Sequence, residues 1–458
     1  MSGMGHGALQ EKRVTVIGAG VSGEGLALLA ERLGARVFVS DKGVVADDVR
    51  GRLAARGIGW EDGGHTERAF EADMLVLSSG IPPSALVVEE ARQRRCPVVG
   101  ELDFLTPYLY GTLVGITGSN GKSTTTSLIA HMLERNGYKV SLSGNIGRAL
   151  ADAALQSWDY IVVELSSFQL HWSTRFSCAL GVVTNLAPDH IDWHGSYEAY
   201  VGAKANIFAN QREGGMAIVQ GRDVSELLGR RERSSVAEFW WRNQRHEPAP
   251  LEILADGDRE EVFLVRDGQM ELLFSFDQLP LIGKHNVENG AMAAAALRML
   301  GAGALSSAEG FSGFKGLPHR CQEVGRVGGI LYIDDSKGTN VASTITALVS
   351  IPGDKAIILG GQGKGEEYGP LAEAVRTNAC AAVVLGEEKD KIVRALREAR
   401  CPVVLEAETM EDAVRQATLA VPDGGVVLLS PACTSWDMYP NYKRRGEHFQ
   451  QIVLGMGR

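Results

Sequence analysis

The most chemically loaded stretch of the chain is Gly118-Ser-Asn-Gly-Lys-Ser-Thr124, a glycine-rich turn that ends in a lysine and two hydroxyls. Gly118 and Gly121 permit torsions that aim successive backbone N–H groups at one anion, Lys122 adds a positive charge, and Ser123 offers a hydroxyl to Mg2+. Ser119, Asn120 and Thr124 complete this phosphate cradle. Glu164 closes the apolar run Tyr160-Ile-Val-Val163, where a strand tip would present a hard oxygen to a phosphate-bound Mg2+. His190, in Pro188-Asp-His190, follows another such run and is a candidate ligand for a second cation or a substrate oxygen. Lys204 lies among small and apolar neighbours, and by spacing alone reads as a surface lysine on a helix. Asn286 and Asn289 share a face at the start of a helix pattern, where they suit a purine or a phosphate; capping explains Asn286 equally well. Arg320, Asp335, Ser336, Lys337 and Thr339 cluster at the entry to the last third, which an ordinary solvated loop would also explain. Lys364 stands in the glycine loop Gly360-Gly-Gln-Gly-Lys364, suited to an anion.

These side chains need strand tips and helix starts to hold them. The cradle lies between the apolar run Leu113 to Ile116 and a helix pattern carrying Leu128, Ile129, Met132 and Leu133, which stops at Asn136-Gly137. The helix start then faces the phosphates with its positive end. Ile116 departs from the strict G-x-x-x-x-G-K-[ST] pattern, so the loop is a variant of it. Further upstream, Val14 to Ile17, Gly18-Ala-Gly-Val-Ser-Gly23, a helix pattern ending at Gly34, and the strand Arg36 to Ser40 before Asp41 form a dinucleotide fingerprint. Strand signals at 74–77 and 97–99 extend that unit to about residue 103. Strands are predicted at 160–163 and 180–184, and small antiparallel pieces at 262–265 and 272–276 decorate the same domain. The last third predicts strands at 330–333, 356–359, 381–385, 402–405 and 425–429 separated by helices, the signature of a mostly parallel sheet. The fold class is therefore α/β in three domains: a Rossmann-like N-terminal domain over 1–103, a central P-loop ATPase-like domain over 104–318 and a C-terminal Rossmann-like domain over 319–458.

Composition narrows the classes. A chain of 458 residues exceeds a single core and predicts roughly two to four domains. Apolar residues at 45% and charged residues at 22% fit a globular protein. With 46 Lys plus Arg against 56 Asp plus Glu, the net charge of −10 gives no footprint for nucleic acid or an anionic membrane. The six cysteines form no C-x-x-C pair, which argues against zinc and a disulfide framework and fits a reducing cytoplasm. No apolar run approaches the length of about 18 residues that a membrane span needs, and the first ten residues read as a loose tail.

The motifs taken in order resemble the Mur ligases of bacterial peptidoglycan synthesis, most nearly the branch that adds D-glutamate. The resemblance rests on Thr117 to Ser123, Ser143 to Gly147, Glu164-Leu-Ser-Ser-Phe-Gln-Leu170, Asn185 with Asp189-His190, and Ala203-Lys204. In the last third it rests on His285 to Asn289, Gly316 to Arg320, Asp335 to Asn340, Gly360 to Lys364 and Leu429-Ser-Pro-Ala-Cys-Thr-Ser-Trp-Asp437.

It implies an ATP-dependent amide ligase that phosphorylates the L-alanyl carboxylate of UDP-N-acetylmuramoyl-L-alanine and lets the amine of D-glutamate attack the acyl phosphate. Lys122, Glu164, His190 and Lys204 would be catalytic, with Ser123, Glu164, His190 and Lys204 around two Mg2+ ions and Lys204 carbamylated. Gly118 to Thr124, Asn286, Asn289, Arg320, Asp335 and Lys337 would hold ATP. Thr339, Lys364, Ser435, Trp436 and Tyr442 would hold D-glutamate, Tyr442 replacing a common Phe. The resemblance turns the first fingerprint from NAD to the uridine diphosphate end of the substrate, held by Val21, Ser22, Asp41, Ser79, Gly80 and Asn145; Lys42-Gly43 departs from some relatives here. A cytoplasmic monomer with small-molecule substrates and no nucleic-acid partner is expected. The rival readings are a sister Mur or folylpolyglutamate-type ligase, an NAD-dependent oxidoreductase, and a non-enzymatic P-loop switch.

Overall fold

The protein was studied as a computed structural model that describes residues 9–228, 235–244 and 247–456. Among the described residues three β-sheets carry the fold. The first contains β1 (Arg13–Ile17), β2 (Arg36–Ser40), β3 (Gly59–Glu61), β4 (Met74–Leu77) and β5 (Val98–Gly100) in the order β3-β2-β1-β4-β5, all parallel. Strand order reverses about β1, so the loops after β1 and β4 flank the crevice where such sheets bind ligands. The short, half-buried β3 has no apolar alternation of its own and escaped the sequence reading. Leu9, expected within a loose tail, is buried instead, and its N–H donates to the Leu33 carbonyl. Residues 1–8 lie outside the described residues.

The second sheet holds β6 (Tyr110–Thr117), β7 (Val140–Gly144), β8 (Ser157–Glu164), β9 (Leu180–Val183), β10 (Met216–Gln220), β11 (Val236–Trp241), β12 (Leu251–Asp256), β13 (Glu261–Arg266) and β14 (Gln269–Ser275). Its order is β14-β13-β12-β11-β10-β9-β6-β8-β7. The strands bearing the candidate site are central, and β6 has β8 and β9 as neighbours, both parallel to it. The antiparallel pieces expected as decoration instead continue this sheet, because β12 pairs parallel with β11 and antiparallel with β13. The helix Lys122–Arg135 follows β6 and ends at Asn136 before Gly137, whose φ is +87°.

The third sheet holds β15 (Gln322–Val327), β16 (Ile330–Asp334), β17 (Lys355–Gly360), β18 (Ala381–Leu385), β19 (Val404–Glu406) and β20 (Val426–Leu429) in the order β15-β16-β20-β17-β18-β19. Only the β15 edge is antiparallel. The chain forms two compact units, one of residues 1–279 with 288–312 and the other of 280–287 with 313–458. Within the first unit the first two sheets share one hydrophobic cluster, from Leu26 and Leu29 to Ile161 and Val183. The third sheet is sandwiched between cores of its own around Ile357 and Val427.

Candidate active site

The phosphate loop is fixed by contacts that its sequence does not announce. Gly118 has φ +142°, and a Cβ there would lie 2.0 Å from Thr184 Oγ1. At Gly121, φ +81°, a Cβ would lie 2.3 Å from Asn289 Oδ1. Both glycines are thus required by torsion and by crowding. The Asn120 N–H donates to Asn185 Oδ1 at 2.9 Å, and Asn185 Nδ2 returns a bond to the Asn120 carbonyl at 3.0 Å. Ser119 Oγ donates to the Ala187 carbonyl at 2.9 Å and accepts from the Ala187 N–H at 2.8 Å, with the Tyr200 hydroxyl also 2.8 Å away. Ser119 and Asn120 therefore anchor the loop through their own bonds to the segment after β9. Ser123 and Thr124 are buried at the start of the helix.

Two lysines meet on this loop. Lys122 Nζ donates to the carbonyls of Gly118 and Ser119, both at 2.8 Å. Lys204, on the helix Tyr197–Ala209, is 2% exposed, so the surface position read from spacing is wrong. The helix lies against β6 and turns this residue inward, where Nζ donates to the Gly118 carbonyl at 2.8 Å and lies 4.6 Å from the Tyr200 ring centre. Burial, with Lys122 adding to it, holds the Lys204 ammonium well below the ordinary lysine range. Both lysines line a cavity of about 350 Å3 with His190, Asp189, Tyr200, Ser166, Ser167 and Phe168. His190 sits in the left-handed region at φ +53°, 3.5 Å from the Asp189 carboxylate. Burial lowers its pKa, and Asp189 opposes that shift. Glu164, at the tip of β8 and 4% exposed, has a buried Oε2 with no hydrogen-bond partner. A buried carboxylate oxygen left unsatisfied is costly, and a cation or a ligand proton would relieve it.

The same cavity reaches the first sheet. Ser79 and Gly80, on the loop after β4, and Asn145, after β7, complete its lining. That loop is pinned by Trp172 Nε1 to the Ile81 carbonyl at 2.9 Å and by Trp193 Nε1 to the Gly80 carbonyl at 3.2 Å. Val21 is exposed at the glycine turn after β1, and Ser22 Oγ beside it is buried facing the Glu101 carboxyl. Asp41 is committed to the turn itself, accepting from the Ala19 N–H at 2.6 Å and the Gly43 N–H at 2.7 Å. Tyr200, Ser166, Ser167, Phe168 and Asp189 were not singled out by sequence, although all but Tyr200 lie inside the quoted motifs.

In the second unit, loops at the carboxyl ends of β16, β17 and β20 are tied together. Gln362 and Thr434 exchange backbone bonds at 3.0 and 2.9 Å, and the Ala432 N–H donates to the Gly338 carbonyl at 2.9 Å. The buried Arg445 guanidinium spans them, donating to the carbonyls of Ser336, Cys433 and Thr434 and to Ser336 Oγ at 2.9 to 3.0 Å. Asp335 is buried, accepts from Ser430 Oγ at 2.7 Å, and has its pKa pushed up to about 6 by burial. Lys337 Nζ lies 5.4 Å from the Tyr442 ring centre. Thr339 is half-buried, Ser435 buried, and Lys364 and Trp436 are exposed. Asn286 is not a cap: the helix already begins at Lys284, and its Nδ2 donates to the Ile282 carbonyl at 2.7 Å. Asn289, in the first unit, accepts from Thr125 Oγ1 at 3.2 Å. Arg320 lies near His285, whose pKa its charge helps to lower.

Comparison with known proteins brings three family models into register with these parts. A MurD N-terminal domain matches residues 13–87, a Mur ligase middle domain 116–297, and a Mur ligase glutamate ligase domain 319–433. A UDP-N-acetylmuramoylalanine--D-glutamate ligase of Salinibacter ruber is 37% identical over 97% of this chain and 98% of its own. Enzymes of the same name from Bacteroides fragilis and Desulfitobacterium hafniense are each 36% identical, over 96% and 97% of this chain and 99% and 98% of their own. Among solved structures, the UDP-N-acetylmuramate-alanine ligase of Thermotoga maritima superposes with a TM-score of 0.61 at 18% identity over 97% of this chain and 100% of its own. A pseudomurein peptide ligase of Methanothermus fervidus gives 0.59 at 17% identity over 97% of this chain and 100% of its own; these two likenesses concern the fold.

Proposed function

The chain belongs to the Mur ligase family, and from that premise we infer that it joins D-glutamate to UDP-N-acetylmuramoyl-L-alanine at the expense of ATP. The observation that carries this reading is the single cavity in which Lys122, His190 and Lys204 meet Ser79, Gly80 and Asn145. A phosphate loop and the crevice of a nucleotide-binding sheet then serve one reacting centre. Residues 1–103 hold the uridine diphosphate substrate, 104–318 the ATP, and 319–458 the amino acid.

The substrate carboxylate is a poor acyl donor until it carries a phosphate. Its oxygen attacks the γ-phosphorus, ADP leaves, and the D-glutamate amine adds to the acyl carbon to form a tetrahedral intermediate that expels phosphate. Both steps gather negative charge in a confined space, so positioned cations and donors supply most of the acceleration. Lys122 exchanges its two loop carbonyls for the β- and γ-phosphate oxygens. The donors fit Mg2+, since the buried Glu164 Oε2 lacks a partner and Ser123 brings a hydroxyl at the start of the phosphate-loop helix. Ser123, Glu164 and His190 would hold the metal, which when bound polarises phosphoryl oxygens. Among the described residues no three His, Cys, Asp or Glu side chains form a cation cage, so nucleotide oxygens and water would fill the remaining positions. Lys204 has the property carbamylation needs, an amine with its protonated form disfavoured. Its nitrogen bonds to CO2, releases a proton and becomes an anionic ligand. Asn286, Asn289, Arg320, Asp335 and Lys337 complete the ATP set, and Thr339, Lys364, Ser435, Trp436 and Tyr442 the D-glutamate set.

The test is phosphate release with ATP, Mg2+ and UDP-N-acetylmuramoyl-L-alanine, with and without D-glutamate. Release that ignores D-glutamate, or equal use of other amino acids, overturns the reading.

A further inference from the structure

His194 lies outside the residues used so far. Its ring is enclosed by Phe168 at 5.7 Å and 23° between planes, Trp193 at 4.5 Å and Tyr200 at 5.5 Å between centres. That packing leaves it little freedom to rotate. Its Nε2 is 2.9 Å from the Oγ of Ser167, which is 3% exposed and lines the cavity with Lys122, His190 and Lys204. Its Nδ1 is buried and has no hydrogen-bond partner.

A neutral imidazole carries one N–H, so two arrangements compete. With the proton on Nδ1, a donor is buried without an acceptor, and Nε2 consumes the Ser167 hydroxyl proton. With the proton on Nε2, only a lone pair is left without a partner, and the Ser167 hydroxyl keeps its proton for another acceptor. A buried orphan N–H is the rarer and costlier of the two in folded proteins. We propose that His194 is a positioning residue whose Nε2–H donates to Ser167 Oγ and thereby commits the Ser167 hydroxyl to donate to an anionic oxygen of the ligand in the cavity. Burial supports this by pushing the imidazole pKa down to about 4, with His171, His190 and Lys204 also disfavouring its charge and Asp192 opposing them. At neutral pH the ring is then uncharged and the tautomer decides the polarity of the bond. The ligand's identity rests on the function proposed above, but the tautomer does not.

Long-range proton–nitrogen correlation spectra of the full chain labelled at histidine nitrogens read the tautomer directly, with His194 assigned by the signals lost in His194→Gln. A protonated Nε2 is expected, and a protonated Nδ1 overturns the proposal. In turnover, His194→Phe raises KM for the UDP-linked substrate about tenfold, more than it lowers kcat, as the loss of one hydrogen bond to an anion would. His194→Gln restores most of that KM, because its amide can donate to Ser167. Adding His194→Phe to Ser167→Ala changes KM no further, since both act through one hydroxyl. Additive losses, or no benefit from Gln, overturn the proposal. A chain with the expected tautomer but no D-glutamate-dependent turnover instead overturns the function.

Discussion

Two ammonium groups on the carbonyl of Gly118 set the chemistry at the scale of single residues. They repel, and burial, with Lys122 adding to it, disfavours the charge on Lys204. Lys122→Ala is expected to abolish ligation without unfolding the chain, as a retained melting curve with no product would show. Protein equilibrated with 13C-bicarbonate should give a carbamate carbon signal that Lys204→Ala lacks; its presence in the variant would place the modification elsewhere. Glu164→Gln separates function from stability, because it removes a buried carboxylate whose Oε2 has no partner. Melting should stay level or rise while turnover falls roughly a hundredfold. His285 gives a pH signature in the second unit. Burial, with Arg320 adding to it, depresses its folded pKa to about 4, and its Nδ1 is 2.8 Å from Ser350 Oγ. The unfolded chain binds the proton first, so this stability is full above about pH 6.5 and is lost as the pH falls toward 4. The stability difference between the parent and His285→Gln should change across that window and be flat above it.

At the scale of elements, the phosphate loop is held in place by the segment after β9 and by the helix Lys284–Met299. Gly121→Ala drives a Cβ to 2.3 Å from Asn289 Oδ1, so it should raise KM for ATP. Combining it with Asn289→Ala removes the clash but keeps the penalty of about 1 to 2 kcal/mol for a left-handed alanine. The double variant should therefore melt higher than Gly121→Ala alone; a simple sum of two losses would show that the clash is not what matters. The parallel strands β6, β8 and β9 and the loop were legible in advance, since Leu113–Ile116 is a buried apolar run and Gly-Lys-Ser marks a local turn. β3, β7, β10, β11, β12 and β15 were not, because a strand whose own residues carry no clear pattern is specified by its partners in the sheet. β13 and β14 read correctly as antiparallel strands, but β12 carries no signal of its own and nothing local says that it joins β11.

At the scale of the whole molecule, the chain has two compact units with separate hydrophobic cores. Such a chain has no reason to unfold in one cooperative step. Calorimetry should resolve more than one transition, and Mg-ATP should raise that of the unit carrying the phosphate loop. No shift with nucleotide in either transition would contradict the ATP site. All six cysteines are free, and no described helix is long and apolar enough to cross a membrane.

By itself the sequence determined what depends on neighbours along the chain: the strand tips, the two glycine turns, the charge at Lys122 and the carboxylate at Glu164. Torsional freedom and apolar periodicity are local properties, and they survive in one dimension. Tertiary structure alone decided what depends on neighbours in space. Lys204 reads by spacing as a surface lysine on a helix, and His194, on the preceding short helix, carries no signal of its own. Packing of these two helices against β6 and the Phe168 ring buries one amine over Tyr200 and one imidazole against Ser167. Asp41 shows the converse, an acid that a motif gives to a ligand and whose oxygens also accept from the N–H groups of the fold's own glycine turn. Desolvation and hydrogen-bond partnership are set by contacts far apart in sequence, so no spacing rule could have assigned them.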